Sequence, residues 1–66
     1  MNVKINGETH TFNDNITLEN IINNLNITIS SIVAEVNGQV ITKEKFSNTI
    51  IKDNDVIELI KFVGGG

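Results

Sequence analysis

The sequence contains no cysteine, so neither a disulfide bond nor a thiolate metal site can support the fold. No run of apolar residues is longer than three, which is far short of a membrane span. The first residues also lack the long apolar segment of a secretory signal peptide, and we therefore expect a soluble, cytoplasmic protein. Arginine is absent and the net charge is −3, which disfavours binding to a nucleic-acid backbone.

What is present is the apolar content of one small domain. The chain has 66 residues, of which 39% are hydrophobic. A chain of this length is shorter than a typical single domain, so we predict one domain over residues 1–66. Three of the five glycines stand together at residues 64–66, where we expect a flexible C-terminal tail.

The N-terminal segment predicts a β-hairpin followed by a helix. Val3 and Ile5 alternate with polar residues, and the dipeptide Asn6-Gly7 supplies the two positive φ angles of a type I′ turn before the return strand 8–12. A helical stripe then follows at i, i+3, i+4 and i+7, formed by Leu18, Ile21, Ile22 and Leu25. Thr17 is the predicted N-cap, and Asn26 is predicted to end the helix.

The second half of the chain predicts further strands. Residues 32–37 alternate again, and Asn37-Gly38 repeats the turn signal before residues 39–41. The segment 42–46 predicts a single helical turn that is capped by Thr42 and anchored by Phe46. Two more strands are predicted, a short one over 49–52 and a final one over 56–63.

These elements predict an α+β fold in which a sheet of four to five strands carries one main helix on one face. Because a single helix covers only one face, apolar side chains remain on the other. In the last strand we expect Ile57 and Leu59 to be buried and Ile60 and Phe62 to point outwards. Exposed apolar residues beside the C-terminus indicate a protein-binding surface, unless a loop or a partner subunit covers them.

The three terminal glycines require their own explanation, since Gly7 and Gly38 follow asparagine in predicted turns. Glycine has no side chain and wide backbone freedom, so this tail can extend about 10 Å into a narrow channel. The reactive group that it presents is the α-carboxylate of Gly66. A carboxylate is a poor electrophile until a phosphate or adenylate leaving group is attached, so a partner enzyme must activate it.

The chain itself shows no catalytic or metal-binding pattern. His10 is the single histidine, and it has no cysteine or second histidine with which to share a metal. No serine is accompanied by a base in a compatible arrangement. We therefore predict a protein that is not an enzyme, binds no cofactor or metal, and is acted on by other enzymes.

At this point the sequence resembles the ThiS family, the sulfur carrier proteins of thiazole formation in thiamine biosynthesis. The segments that carry the resemblance cover nearly the whole chain. They are the hairpin with Asn6-Gly7, the helix 18–25, the stretch Val33-Ala34-Glu35-Val36-Asn37-Gly38-Gln39-Val40-Ile41, the segment 43–46, the turn 53–55 and the ending Phe62-Val63-Gly64-Gly65-Gly66. The Ala-Glu-Val-Asn-Gly motif and the terminal Gly-Gly are specific in combination.

The resemblance implies a ubiquitin-like β-grasp fold with a mixed sheet, and a monomeric carrier. It also implies that a ThiF-type enzyme, using ATP and magnesium, adenylates Gly66, with Gly65 completing the motif. A persulfide donor linked to a cysteine desulfurase then leaves a thiocarboxylate, whose sulfur passes to a ThiG-type thiazole synthase. Gly64, Phe62 and Ile60 are the residues expected to contact the partner.

Three alternatives remain open at the level of the sequence. The small subunit of molybdopterin synthase is similar in fold and ending, but its chains are usually longer. A ubiquitin-like modifier would use the same tail to form an isopeptide bond with lysine. An RNA-binding module of the TGS type shares the fold, but it has no use for a free Gly-Gly end, and the negative net charge weighs against it.

Overall fold

A computed structural model describes residues 1–62 of the chain. Within these residues, five strands, one α-helix and two short 3₁₀ helices follow one another. In chain order they are β1 (Asn2–Ile5), β2 (Glu8–Thr11), α1 (Leu18–Asn24), a 3₁₀ helix (Ile29–Ser31), β3 (Ile32–Val36), β4 (Gln39–Ile41), a second 3₁₀ helix (Lys43–Asn48) and β5 (Val56–Lys61).

Both predicted hairpins are present, and their turns have the predicted backbone conformation. Asn6 and Gly7 have φ angles of 50° and 85°, and Asn37 and Gly38 have 53° and 83°. Positive φ at both central residues is the requirement of the type I′ turn, whose twist matches that of the flanking strands. The two Asn-Gly dipeptides therefore set the registers β1 with β2 and β3 with β4.

The sheet has the order β2-β1-β5-β3-β4, so the last strand of the described residues lies at its centre. β5 pairs in parallel with β1 and in antiparallel fashion with β3. The predicted mixed sheet with one main helix on one face is thereby confirmed, with five strands. β5 is also the strand that precedes the C-terminal residues in the sequence.

Helix α1 begins as the sequence predicted. The Thr17 hydroxyl accepts a hydrogen bond from the Asn20 N–H (3.1 Å), and the Asn20 side-chain oxygen accepts one from the Thr17 N–H (3.3 Å), which forms a capping box. The helix ends at Asn24, and Asn26 follows with a φ of 59°, so the predicted stop at this asparagine is confirmed within the usual margin of helix ends. Within residues 1–62, no helix is long and apolar enough to cross a bilayer.

The core lies between α1 and the inner face of the sheet. Its members come from the helix, from alternate positions of the strands, from the second 3₁₀ helix and from the segment that follows this helix. They are Val3, Ile5, Leu18, Ile21, Ile22, Ile32, Ala34, Phe46, Ile51, Ile57 and Leu59. Among the described residues no buried side-chain nitrogen or oxygen lacks a hydrogen-bond partner, so apolar burial is not offset by an unpaired polar group.

The predicted strand over 49–52 is wrong. The segment forms one isolated bridge, between Ile50 and Thr17, with backbone hydrogen bonds from Leu18 N–H to Thr49 O (2.9 Å) and from Ile51 N–H to Ile16 O (2.9 Å). The partner segment turns into α1 immediately after Thr17, so the ladder cannot extend. The β-branched residues of this segment therefore adopt an extended conformation, but they have no continuous strand partner with which to form a ladder.

Two smaller predictions also need correction. Thr42 stands at the N-terminus of the second 3₁₀ helix, but its side chain makes no capping hydrogen bond. Phe46 does anchor this segment, since the side chain is buried in the core. The final strand ends at Lys61 instead of Val63, and Val63 lies outside the described residues.

Candidate functional site

The candidate site is the end of β5, where the chain approaches its C-terminus. On the β3 side, the Phe62 N–H donates to the Ser31 carbonyl (3.0 Å). On the β1 side, the Asn6 side chain holds Leu59: its oxygen accepts from the Leu59 N–H (2.8 Å), and its amide donates to the Leu59 carbonyl (3.2 Å). The strand is thus held on both sides at Leu59, and on the β3 side as far as Phe62.

The outer face of the sheet, opposite α1, exposes an apolar surface beside this strand end. We call Val33, Ile60 and Phe62 the outer strip. Val33 and Ile60 are cross-strand neighbours and therefore share one face of the sheet. The exposed fractions are 38% for Val33, 50% for Ile60 and 40% for Phe62. The predicted orientation of Ile60 and Phe62 is confirmed, whereas their contact with a partner stays a prediction.

Lys43 lies at one end of the outer strip. Its ammonium group is 5.8 Å from the centroid of the Phe62 ring and donates to the Ser30 carbonyl (3.0 Å). A cation over the face of an aromatic ring is attracted by the ring electrons, by about 0.5–1 kcal/mol at an exposed site. Lys43 therefore helps to hold the Phe62 ring in a defined position on the surface.

The same face carries two glutamates next to the outer strip. Glu35 on β3 and Glu58 on β5 are direct cross-strand neighbours, so their side chains lie side by side. Neither makes an ion pair with a lysine within the described part of the chain. Like charges placed directly opposite each other on neighbouring strands lower the stability of the sheet.

Gly64, Gly65 and Gly66, the predicted attachment and partner residues of the tail, lie outside the described residues. Val33 was missed as a member of the site, although its place in an alternating strand was evident. The signal that it joins Ile60 is the register between β3 and β5. The Asn6 clamp on Leu59 was missed because it joins residues 53 positions apart.

The remaining polar groups of the described residues do not gather into a metal site. His10 on β2 stacks its ring on Phe12, with 6.1 Å between centroids, and its Nε2 is 3.9 Å from a Glu8 carboxylate oxygen. Across residues 1–62, no three histidine, aspartate or glutamate side chains gather at metal-binding spacing. The site is consequently a surface and a strand end.

Known proteins match most or all of the chain. The sequence model of the ThiS family matches residues 3–66. The crystal structure of the thiamine biosynthesis protein ThiS from Geobacter metallireducens superposes with a TM-score of 0.87 at 30% identity, covering 100% of both chains. The sulfur carrier protein ThiS of Bacillus subtilis is 32% identical over 50 residues, which are 76% of each protein.

A longer relative has a different kind of name. The thiazole synthase of Paramagnetospirillum magneticum is 29% identical over 66 residues, which are 100% of this chain. The chain spans only 20% of the length of that protein. A segment similar to this domain is therefore part of a longer polypeptide there.

Proposed function

This chain belongs to the ThiS family, the sulfur carrier proteins of thiamine biosynthesis, and from that premise we propose that it carries sulfur as a thiocarboxylate on Gly66. The observation that carries the proposal is the position of β5. This central strand leads to Phe62, a member of the outer strip, and Gly66 follows four residues later in the sequence.

The chemistry starts with activation of the Gly66 carboxylate by a ThiF-type enzyme. A carboxylate oxygen attacks the α-phosphorus of magnesium-bound ATP, and pyrophosphate leaves. A persulfide, supplied through a cysteine desulfurase, attacks the acyl carbon and displaces AMP. Reduction of the resulting S–S bond by a thiol leaves the thiocarboxylate. The chain contributes the acyl group and the docking surface, and its partner contributes the nucleotide chemistry.

The sulfur acceptor in this proposal is a ThiG-type thiazole synthase. Support comes from the relative named thiazole synthase, in which a segment similar to this whole chain is joined to a longer protein. Covalent linkage raises the effective concentration of two modules that work together. A separate carrier must obtain the same encounter through a surface of its own.

The outer strip is the surface that we assign to docking of the activating enzyme. Ile60 and Phe62 lie at the end of the strand that leads to the tail, so a partner that covers them is close to the emerging chain. Burial of exposed apolar area is the general driving force of protein association. Glu35 and Glu58 next to the strip favour a partner that brings cationic side chains.

Mass spectrometry of the intact protein tests the proposal. The chain is produced in cells of its own organism, with and without the ThiF-type enzyme, and purified under conditions that preserve thioacids. We expect a mass gain that corresponds to the replacement of one oxygen by sulfur when the enzyme is present. The gain should disappear without the enzyme and in the variant that lacks Gly66.

Other outcomes identify the rival functions. Attachment of the chain to lysines of other proteins would favour a ubiquitin-like modifier and overturn the carrier proposal. Thiazole formation in cells that contain only the variant lacking Gly66 would also overturn it. The folded state of that variant is checked by its unfolding midpoint in urea, which we expect to equal that of the full chain.

A further inference from the structure

The two strands that flank β5 support it over different lengths. β3 accompanies β5 as far as Lys61, whereas β1 pairs with it only at Val56 and Ile57. Beyond Ile57, β1 has already entered its hairpin turn. The β1-facing edge of β5 therefore has no partner strand where the chain approaches the C-terminus.

The side chain of Asn6 takes the place of the missing strand. It accepts from the Leu59 N–H at 2.8 Å and donates to the Leu59 carbonyl at 3.2 Å. The oxygen and one N–H of a primary amide lie on the same side, as do the C=O and N–H that a strand residue turns towards its neighbour, so this pair resembles a ladder contact between strands. A depression of about 300 Å³, lined in part by Asn6, Leu59 and Lys61, lies directly beside it.

We propose that Asn6 is a positioning residue for the reacting end of the chain. By holding Leu59, three residues before Phe62, it fixes the direction in which β5 presents the C-terminal segment to the activating enzyme. The inference rests on the proposed function, because it assigns Asn6 a role in adenylation. Fixing the direction of a reactant before encounter lowers the entropy cost of reaching the reactive geometry.

Asn37 provides a matched control inside the same molecule. It also opens an Asn-Gly turn, with nearly the same φ as Asn6. Its side chain also binds β5, since its oxygen accepts from the Val56 N–H (2.9 Å) and its amide donates to the Asp55 carboxylate (3.0 Å). The contact lies at the opposite end of β5, six residues before Phe62, so it supports the fold without bearing on the end that reacts.

The experiment compares Asn6→Gly with Asn37→Gly in the full chain. Glycine accepts the positive φ of both turns, so each variant keeps its hairpin and loses only the two side-chain hydrogen bonds. ATP–pyrophosphate exchange by the ThiF-type enzyme of the same organism is measured against carrier concentration. We expect Asn6→Gly to lower kcat about tenfold, with KM within about threefold because the outer strip is unchanged.

The control should separate positioning from stability. For Asn37→Gly we expect kcat and KM within about twofold of the unaltered chain, at a similar loss of stability in urea. Amide hydrogen exchange provides a readout without any enzyme, and protection of the Leu59 amide should fall in Asn6→Gly and persist in Asn37→Gly. A third variant, Asn6→Asp, keeps an acceptor for this amide and should recover most of the lost kcat.

Equal kcat values for Asn6→Gly, Asn37→Gly and the unaltered chain would overturn the inference and leave the carrier function intact. So would unchanged protection of the Leu59 amide in Asn6→Gly. If Asn6→Gly does not fold, the decision passes to Asn6→Asp. A tenfold loss of kcat in that variant with Leu59 still protected would overturn the inference. Absence of exchange with the unaltered chain would instead overturn the proposed function.

Discussion

The two faces of β5 use the same kinds of residue for different purposes. Ile57 points towards α1 and is completely buried, whereas Ile60, three residues later in the same strand, is 50% exposed on the outer face. On the inner face, apolar side chains are removed from water by the domain itself. On the outer face they remain exposed to water. The comparison shows that apolar content in a strand does not locate the core, because the helix covers one face only.

The largest effect that we expect is a difference in the free energy of unfolding between substitutions on the two faces. Ile57→Ala should lower the free energy of unfolding by about 3 kcal/mol, since it removes a fully buried side chain and leaves a cavity. Ile60→Ala makes the same change in the same strand at a half-exposed site and should cost less than about 1 kcal/mol. Urea unfolding followed by circular dichroism measures both. Equal losses would show that the outer face is also part of the stabilising core.

A second effect concerns binding to the activating enzyme, and we expect it only for substitutions on the outer face. Ile60→Asp should lower kcat/KM for adenylation about thirtyfold, because a charge would have to be buried at the centre of the docking surface that we propose. Ile50→Asp is the matched control, since Ile50 is 51% exposed but lies outside the five strands. We expect this variant to stay within about twofold of the unaltered chain.

Pyrophosphate exchange measures both aspartate variants, at a temperature where urea unfolding shows both to be folded. The assignment of the outer strip would be contradicted by equal losses at the two positions. If Ile60→Asp raises KM and leaves kcat unchanged, the result would support a role of Ile60 in binding the enzyme, since a weaker contact with the enzyme raises KM.

The smallest effect concerns the charges of the outer face. Glu58→Gln removes one of two opposed carboxylates and should stabilise the fold by about 0.2–0.5 kcal/mol at low salt. Asp14→Asn removes the same charge from an exposed loop and should change stability less. The gain should shrink as ionic strength rises, because exposed charges are screened. A gain for Glu58→Gln that is unchanged at high salt would contradict the electrostatic origin.

Most of the local structure was predictable from the sequence. Asn6-Gly7 and Asn37-Gly38 predicted two hairpins, because few residue pairs accept two successive positive φ angles. Thr17 predicted the start of α1, since its hydroxyl satisfies a free N–H of the first turn. The outward orientation of Ile60 followed from strand alternation and the presence of only one helix.

The candidate site was predictable only in part. Its position beside the glycine-rich ending was evident, as were Ile60 and Phe62. The pairing of Val33 with Ile60, and of Glu35 with Glu58, required the register of β3 against β5. For segment 49–52 the sequence predicted more than the structure contains. Its composition predicted a strand, but the segment that pairs with it turns into α1 directly after Thr17.

The sequence by itself determined the turns, the helix start and the alternation of buried and exposed positions, because each depends on interactions between residues close together in the chain. The tertiary structure alone decided that β5 lies between β1 and β3, and that Asn6 holds Leu59 from 53 residues away. Strand pairing and side-chain clamps of this kind depend on which distant segments meet, and a local pattern contains no information about its partner.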